Sequence, residues 1–231
     1  SFTDSPFKGN PAGVCLLDNL LTDEILQNIA SEMNLSETAF LLKKDSGYNL
    51  RWFTPETEVR LCGHATLATA HILWEQKLYN EKDTIYFQTL SGQLSAKKKD
   101  GLIELDFPVC PSEKDQADVF LLEAFNYKPM EVWHDDTIAI LQFESDTQIK
   151  TIVPDFSRLQ QLPYKGCIVT ATSSSNEFDF ISRFFAPQLG INEDPVTGMA
   201  HCYLTPFWAT QLNKNIFNAY QASNRGGVVQ C

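Results

Sequence analysis

Apolar positions recur at helical spacing in several stretches of the chain, separated by short runs that alternate or are continuously apolar as strands are. Leu26, Ile29, Ala30 and Met33 mark one face of a helix that Thr22 can cap, with Asp23 and Glu24 suited to its positive N-terminal end. Leu67, Ala68, Ala70, His71, Ile72 and Trp74 form a second helix that is apolar nearly all round, and residues 200–212 form another. A helix of that kind is wrapped by its surroundings rather than laid on a surface. A further helix is expected around 117–125. Strands are expected at 14–17, 40–42, 48–53, 84–88, 93–97, 102–107, 137–143, 166–170 and 178–185. Ser91-Gly92 and Asp100-Gly101 mark turns, and Lys97-Lys98-Lys99 reads as part of a solvated hairpin turn. Residues 228–231 read as a strand cut short.

One stretch is written twice. Arg51 opens R-W-F-T-P-E-T-E-V-R-L-C-G-H-A-T, and Arg183 opens R-F-F-A-P-Q-L-G-I-N-E-D-P-V-T-G-M-A. Each copy begins with Arg, two aromatics, a small residue and Pro, and each reaches a Gly-x-Ala that starts an apolar helical run. Gly63 follows Arg51 by 12 positions and Gly198 follows Arg183 by 15, so a short insertion separates the copies. A repeat of this length points to an internal duplication. The order of elements recurs on either side of Pro108, which predicts two similar α+β domains, 1–108 and 109–231, each several strands around one buried helix.

Composition narrows the function. Hydrophobic residues at 43% and charged residues at 20% describe an ordinary globular chain. A net charge of −11 argues against nucleic acid as a partner, because phosphate binding needs a basic face. No apolar run approaches the roughly 20 residues that span a bilayer, and no secretory signal is read at Ser1. The six cysteines show no CxxC pair and no regular spacing, so neither a disulfide framework nor a structural zinc site is expected. These features describe a reduced, cytoplasmic protein without a membrane partner.

Both Gly-x-Ala turns set bare backbone N–H groups at the start of a buried helix, where orphan donors and the helix dipole together suit an anion. Gly63, Ala65 and Gly198 are therefore candidate substrate-binding positions, with the alternative that the glycines simply turn the chain. Glu37 lies between Ser36 and Thr38 just before a buried strand, where desolvation favours a proton-carrying carboxyl. A capping or surface carboxylate is the other reading. His64 stands in the first helical turn beside Cys62-Gly63 and is either catalytic or structural. Asp194, before Pro195, either caps the second helix or is a catalytic or substrate-orienting group. His64 and His71 lack a third ligand at known spacing, so no metal is expected. His201 and Cys202 carry no assigned role.

Several separated motifs together resemble the phenazine-biosynthesis PhzF-like family of isomerases. They are F-T-D-S-P-F-K-G-N-P-A-G-V, L-S-E-T-A-F, F-T-P-E-T-E-V-R-L-C-G-H-A-T, G-I-N-E-D-P-V-T-G-M-A-H and S-N-R-G-G, and they cover nearly the whole chain in order. The resemblance implies a diaminopimelate-epimerase-like fold, two domains each with a barrel-like, mostly antiparallel sheet around a central helix and the active site between them. It implies that Glu37 moves a proton between carbons of a small anionic, carboxylate-bearing substrate. His64, Gly63 and Asp194, with Asn10, Ala65, Gly198 and Met199 as further substrate-binding positions, would surround that substrate. No cofactor and no metal are implied, and a homodimer is. The family normally carries Ser after T-G, whereas this chain has Met199, which cannot donate a hydroxyl's hydrogen bond. A catalytically silent binding protein is therefore an alternative. Related cofactor-free racemases use two cysteines; Cys62 fits the first position, but Thr197 occupies the second, so a two-thiol mechanism would need Cys202 instead.

Overall fold

The computed structural model describes residues 1–44, 47–115 and 119–231. It is a mixed α/β fold that divides into two compact units, one formed by Pro11–Pro108 with Ser1 and the other by Val109–Cys231 with Phe2–Asn10.

The first unit runs β1 (Gly13–Leu17), α1 (Asp23–Met33), β2 (Thr38–Lys44), β3 (Gly47–Phe53), β4 (Glu58–Val59), α2 (Gly63–Glu75), β5 (Ile85–Thr89), β6 (Gly92–Lys99) and β7 (Leu102–Asp106). Its seven-stranded sheet has the order β1-β2-β3-β5-β6-β7, with β4 paired to β3. Thr22 caps α1 as its hydroxyl accepts the Ile25 N–H at 3.4 Å. Strand β2 shows why its sequence is continuously apolar: Phe40 packs with Leu26 and Ala30 of α1, while Ala39 and Leu41 join the cluster of Ala65, Ala70 and Leu73 from α2. Both faces of that strand are covered, so alternation disappears. The lysines expected in a turn belong to β6, where Lys97 and Lys99 reach Glu104. The turn itself is Asp100-Gly101, both at positive φ, as a two-residue hairpin loop demands.

The second unit runs β8 (Glu113–Asp115), α3 (Val119–Glu123), β9 (Glu131–His134), β10 (Ile138–Gln142), α4 (Asp146–Thr151), α5 (Phe156–Leu159), β11 (Gly166–Thr172) and β12 (Phe180–Ala186). After a 3-10 turn at Pro187–Leu189 follow β13 (Ile191–Asp194), α6 (Gly198–Leu212), β14 (Asn218–Gln221) and β15 (Gly227–Gln230). The helix expected around 117–125 is represented by α3; its first two expected residues lie outside the described residues. Helices α4 and α5 were not expected, because four to six residues are too few to display a helical period. The short strands β4, β8, β9, β13 and β14 escaped for the same reason.

The two sheets repeat one plan. The eight-stranded sheet has the order β15-β14-β12-β11-β10-β9-β8, with β13 paired to β12. Along β1-β2-β3-β5-β6 the pairings run parallel, antiparallel, parallel, antiparallel. Along β10-β11-β12-β14-β15 the sequence of senses is the same. The repeated Arg of each copy does the same work in its unit. Arg51 makes a two-pronged pair with Glu58 (2.7 and 2.8 Å) and lies over the Phe53 ring. Arg183 makes the same pair with Glu193 (2.7 and 2.9 Å) and lies over the Phe185 ring.

The boundary at 108 needs one correction, because Phe2–Asn10 counts with the second unit rather than with 11–108. Backbone bonds explain it: Gly9 N–H donates to Gly226 O at 3.0 Å, and Val228 N–H to Phe2 O at 3.2 Å. Among the described residues, no helix is long and apolar enough to cross a membrane.

Candidate active site

In the first unit, three side chains gather where α2 begins. Cys62 is the N-cap, in extended conformation, and contributes no side-chain cap hydrogen bond. The leading amides of α2, beginning at Gly63, thus carry the positive end of the helix dipole without a side-chain cap. Glu37 immediately precedes β2, and its carbonyl accepts the Gly13 N–H at 3.2 Å, which ties its backbone to the start of β1. His64, 2% exposed, lies between the two others. Its Nδ1 is 3.4 Å from Cys62 Sγ and its Nε2 is 3.4 Å from Glu37 Oε2. Burial pushes the His64 pKa down to about 3, against a hydrogen bond to the Pro11 carbonyl that favours the charged ring. The imidazole is therefore neutral at neutral pH, and its contact with Glu37 is not a salt bridge. Ala65 is fully buried on the next position of the helix.

Glu37, Cys62 and His64 each bring a metal-ligating atom within 4.8 Å of the other two. The close approaches, however, use opposite nitrogens of one ring, and an ion binds an imidazole through one of them. One ring nitrogen nevertheless lies within 4.8 Å of both other ligand atoms, so the cluster has the reach to hold an ion as well as to carry a proton.

The second unit builds a polar cluster ahead of α6. Strand β13 ends on Asp194, which is 6% exposed. Asp194 does not cap α6, as one reading had it; the N-cap is Thr197, again without a side-chain cap bond. Asp194 instead accepts a hydrogen bond from Asn10 Nδ2 at 2.7 Å and one from the Thr197 hydroxyl. Asn10 Nδ2 also donates to Val196 O at 3.0 Å. Arg225 holds this N-terminal loop by donating to Gly9 O at 2.7 Å. Gln221, fully buried, completes the cluster: its Oε1 accepts the Thr197 N–H at 2.8 Å and its Nε2 donates to Asp194 O at 2.8 Å. Gln221 was missed by sequence reasoning. Its signal, a polar residue on the inward side of a strand, is readable only once β14 is known to be a strand.

Gly198 starts α6, and Met199 is partly buried against the apolar cluster of Ala200, Leu204 and Trp208. His201 is structural in its contacts, with Nδ1 2.8 Å from Thr197 O and its ring stacked on Phe180. The predicted residues therefore fall into two groups. Glu37, Gly63, His64 and Ala65 assemble in the first unit, and Asn10, Asp194, Gly198 and Met199 in the second.

Burial raises the Asp194 pKa to about 6, offset in part by the Thr197 and Asn10 hydrogen bonds. The folded state thus holds a proton here that the unfolded chain releases near the ordinary aspartate value. The contribution of this group to stability is accordingly greatest at low pH and falls as pH rises from about 4 through about 6. Asp194→Asn removes that dependence. Relative to wild type, its thermal midpoint is expected to be higher above pH 6 than at pH 4, which thermal melts across a pH series would measure.

A family model described as phenazine biosynthesis-like protein matches residues 1–231. An uncharacterized isomerase of Halalkalibacterium halodurans is 50% identical over 233 residues, covering all of this chain and 87% of that protein. A crystal structure of a phenazine biosynthesis protein of the PhzF family from Enterococcus faecalis superposes with a TM-score of 0.92 at 44% identity, over all of this chain and 87% of the other. A predicted epimerase from Pseudomonas aeruginosa, 20% identical and covering 99% of this chain and 88% of its own, shares the fold with a TM-score of 0.72.

Proposed function

This chain belongs to the phenazine biosynthesis-like family, and from that premise we propose that it is an isomerase that moves a proton between carbons of a small carboxylate-bearing substrate. Glu37 is the proton carrier. The observation that carries this reading is the contact of Glu37 with a buried, neutral His64 at the uncapped start of α2. A neutral imidazole does not itself lock a neighbouring carboxyl in the charged state, and a carboxyl in such surroundings can give up and regain a proton. The amides from Gly63 onward would hold an anionic substrate group against the helix dipole. In the second unit, the Asn10–Asp194–Thr197 cluster and the start of α6 at Gly198 serve binding and orientation. Each sheet, in this proposal, curls around its apolar helix; α2 packs against β1, β2 and β7, strands from both ends of its sheet order.

A second reading is favoured by one contact, that of Cys62 Sγ with His64 Nδ1 at 3.4 Å. A thiol beside an imidazole is the arrangement of a thiolate base in a racemase. Thr197 stands where the second thiol would be needed, which weighs against it.

The test is proton exchange in heavy water with a panel of small cyclic and acyclic carboxylates, followed by NMR. Exchange that persists in Cys62→Ser and disappears in Glu37→Gln supports the isomerase. Exchange abolished by Cys62→Ser transfers the role to the thiol. Exchange with no compound favours a binding protein, and Met199→Ser, which restores the hydroxyl usual in the family, is then the variant in which activity is sought.

A further inference from the structure

Cys110 and Cys202 meet on α6 within the second unit, and a proline explains how. Pro206 lies inside α6 and has no N–H, so the helical bond to the carbonyl four residues back, that of Cys202, is lost. The Cys110 N–H donates to that carbonyl at 3.1 Å, docking the segment after Pro108 onto the helix. A backbone bond of that length sets the two Cα atoms roughly 5–6 Å apart, within the span of a disulfide. The side chains meet too, since the Cys110 and Cys202 thiols each alter the other's ionisation. Both cysteines are half-buried rather than sealed in the core.

We propose that Cys110 and Cys202 form a reversible dithiol–disulfide site, with Cys110 as the attacking thiolate and Cys202 as the resolving thiol. The two are poised differently. The neighbouring Cys202 side chain holds the Cys110 thiol down to about 7 despite partial burial. The same partnership and burial push Cys202 up. Thiolate character decides which sulfur attacks first. Cys231 also lies near Cys202, but burial pushes its thiol up, and the Thr205 hydroxyl bonds to it.

The oxidant is a peroxide. The Cys110 thiolate attacks one oxygen of hydrogen peroxide; the O–O bond breaks, hydroxide leaves and takes up a proton as water, and Cys110 becomes a sulfenic acid. Cys202 sulfur then attacks the sulfenic sulfur, the S–O bond breaks, and a second water carries away the Cys202 proton as the S–S bond forms. One peroxide is reduced to two waters while two thiols are oxidised to one disulfide, which a small dithiol reverses.

The test uses the reduced full chain and roughly stoichiometric hydrogen peroxide, with free thiols then blocked by N-ethylmaleimide and the peptides mapped without reduction. The expected result is one cross-linked pair holding Cys110 and Cys202, loss of two of the six free thiols, and recovery of both with dithiothreitol. Cys110 should be consumed roughly tenfold faster than Cys15, whose thiol burial pushes up. In Cys202→Ser the Cys110 sulfenic acid should persist and take up dimedone; in Cys110→Ser no cross-link should form. Far-UV circular dichroism matching wild type would verify that both variants fold. A first cross-link through Cys231 or any other pair, or reaction of Cys110 no faster than Cys15, would overturn the proposal.

Discussion

Replacing Glu37 with Gln is expected to lower turnover on an exchanging substrate by about 10²–10⁴-fold, the range a general acid–base group supplies. Gln keeps the size and hydrogen-bonding reach of the side chain but offers no carboxyl to carry the proton. Its neighbours are unchanged: His64 stays neutral by burial, and the Glu37 backbone still accepts the Gly13 N–H. The loss should appear in kcat, with KM moving far less, because the groups proposed to bind and orient substrate are left unchanged by this substitution. Single-turnover exchange in heavy water separates the two. Full turnover in Glu37→Gln would remove Glu37 from its role and leave Cys62 and the neutral His64 as the remaining candidate bases in that cluster.

Arg183→Ala is expected to be the most destabilising of the single substitutions considered, by about 2–4 kcal/mol. That corresponds to a thermal midpoint lower by roughly 5–15 °C for a chain of this size. Arg183 has a side chain only 13% exposed and makes the two-pronged pair with Glu193. It also donates to the carbonyls of Ile149 and Ile152 at 3.2 and 2.9 Å, joining the end of α4 to β12. Truncation would leave two carbonyls and a partly buried carboxylate without their cation, the costly way to break such a pair. Arg51→Ala, at the matching position, should cost less. Its third partner is Asp23, a side chain 80% exposed, where solvent screens the interaction. Differential scanning calorimetry of both variants measures the contrast, and equal losses would contradict it.

The paired arginines also show where sequence is legible. The residues R-x-F-x-P announce both copies, and the Arg–Glu pairing, the ring contact and the order of strand pairings recur with them. The partners Glu58 and Glu193 carry no local mark, since their distances from the Arg differ by the insertion. Gln221 and Thr197 are cases of the same kind, as are Cys110 and Pro206: each matters through a residue distant in the chain.

By itself the sequence determined the buried helices and their glycine starts, the alternating strands, the repeat, and the family, through signals that are local and periodic. Hydrophobic spacing reports which face of an element is covered, because burial of apolar surface is a property of each side chain. What only the tertiary structure decided is which polar groups meet. His64 lies between Cys62 and Glu37, Asp194 accepts from Asn10 instead of capping a helix, residues 2–10 count with the second unit, and Cys110 fills the carbonyl that Pro206 leaves open. Hydrogen bonds are short and directional, so their partners are set by where the folded backbone brings distant segments together, and no periodicity along the chain records that.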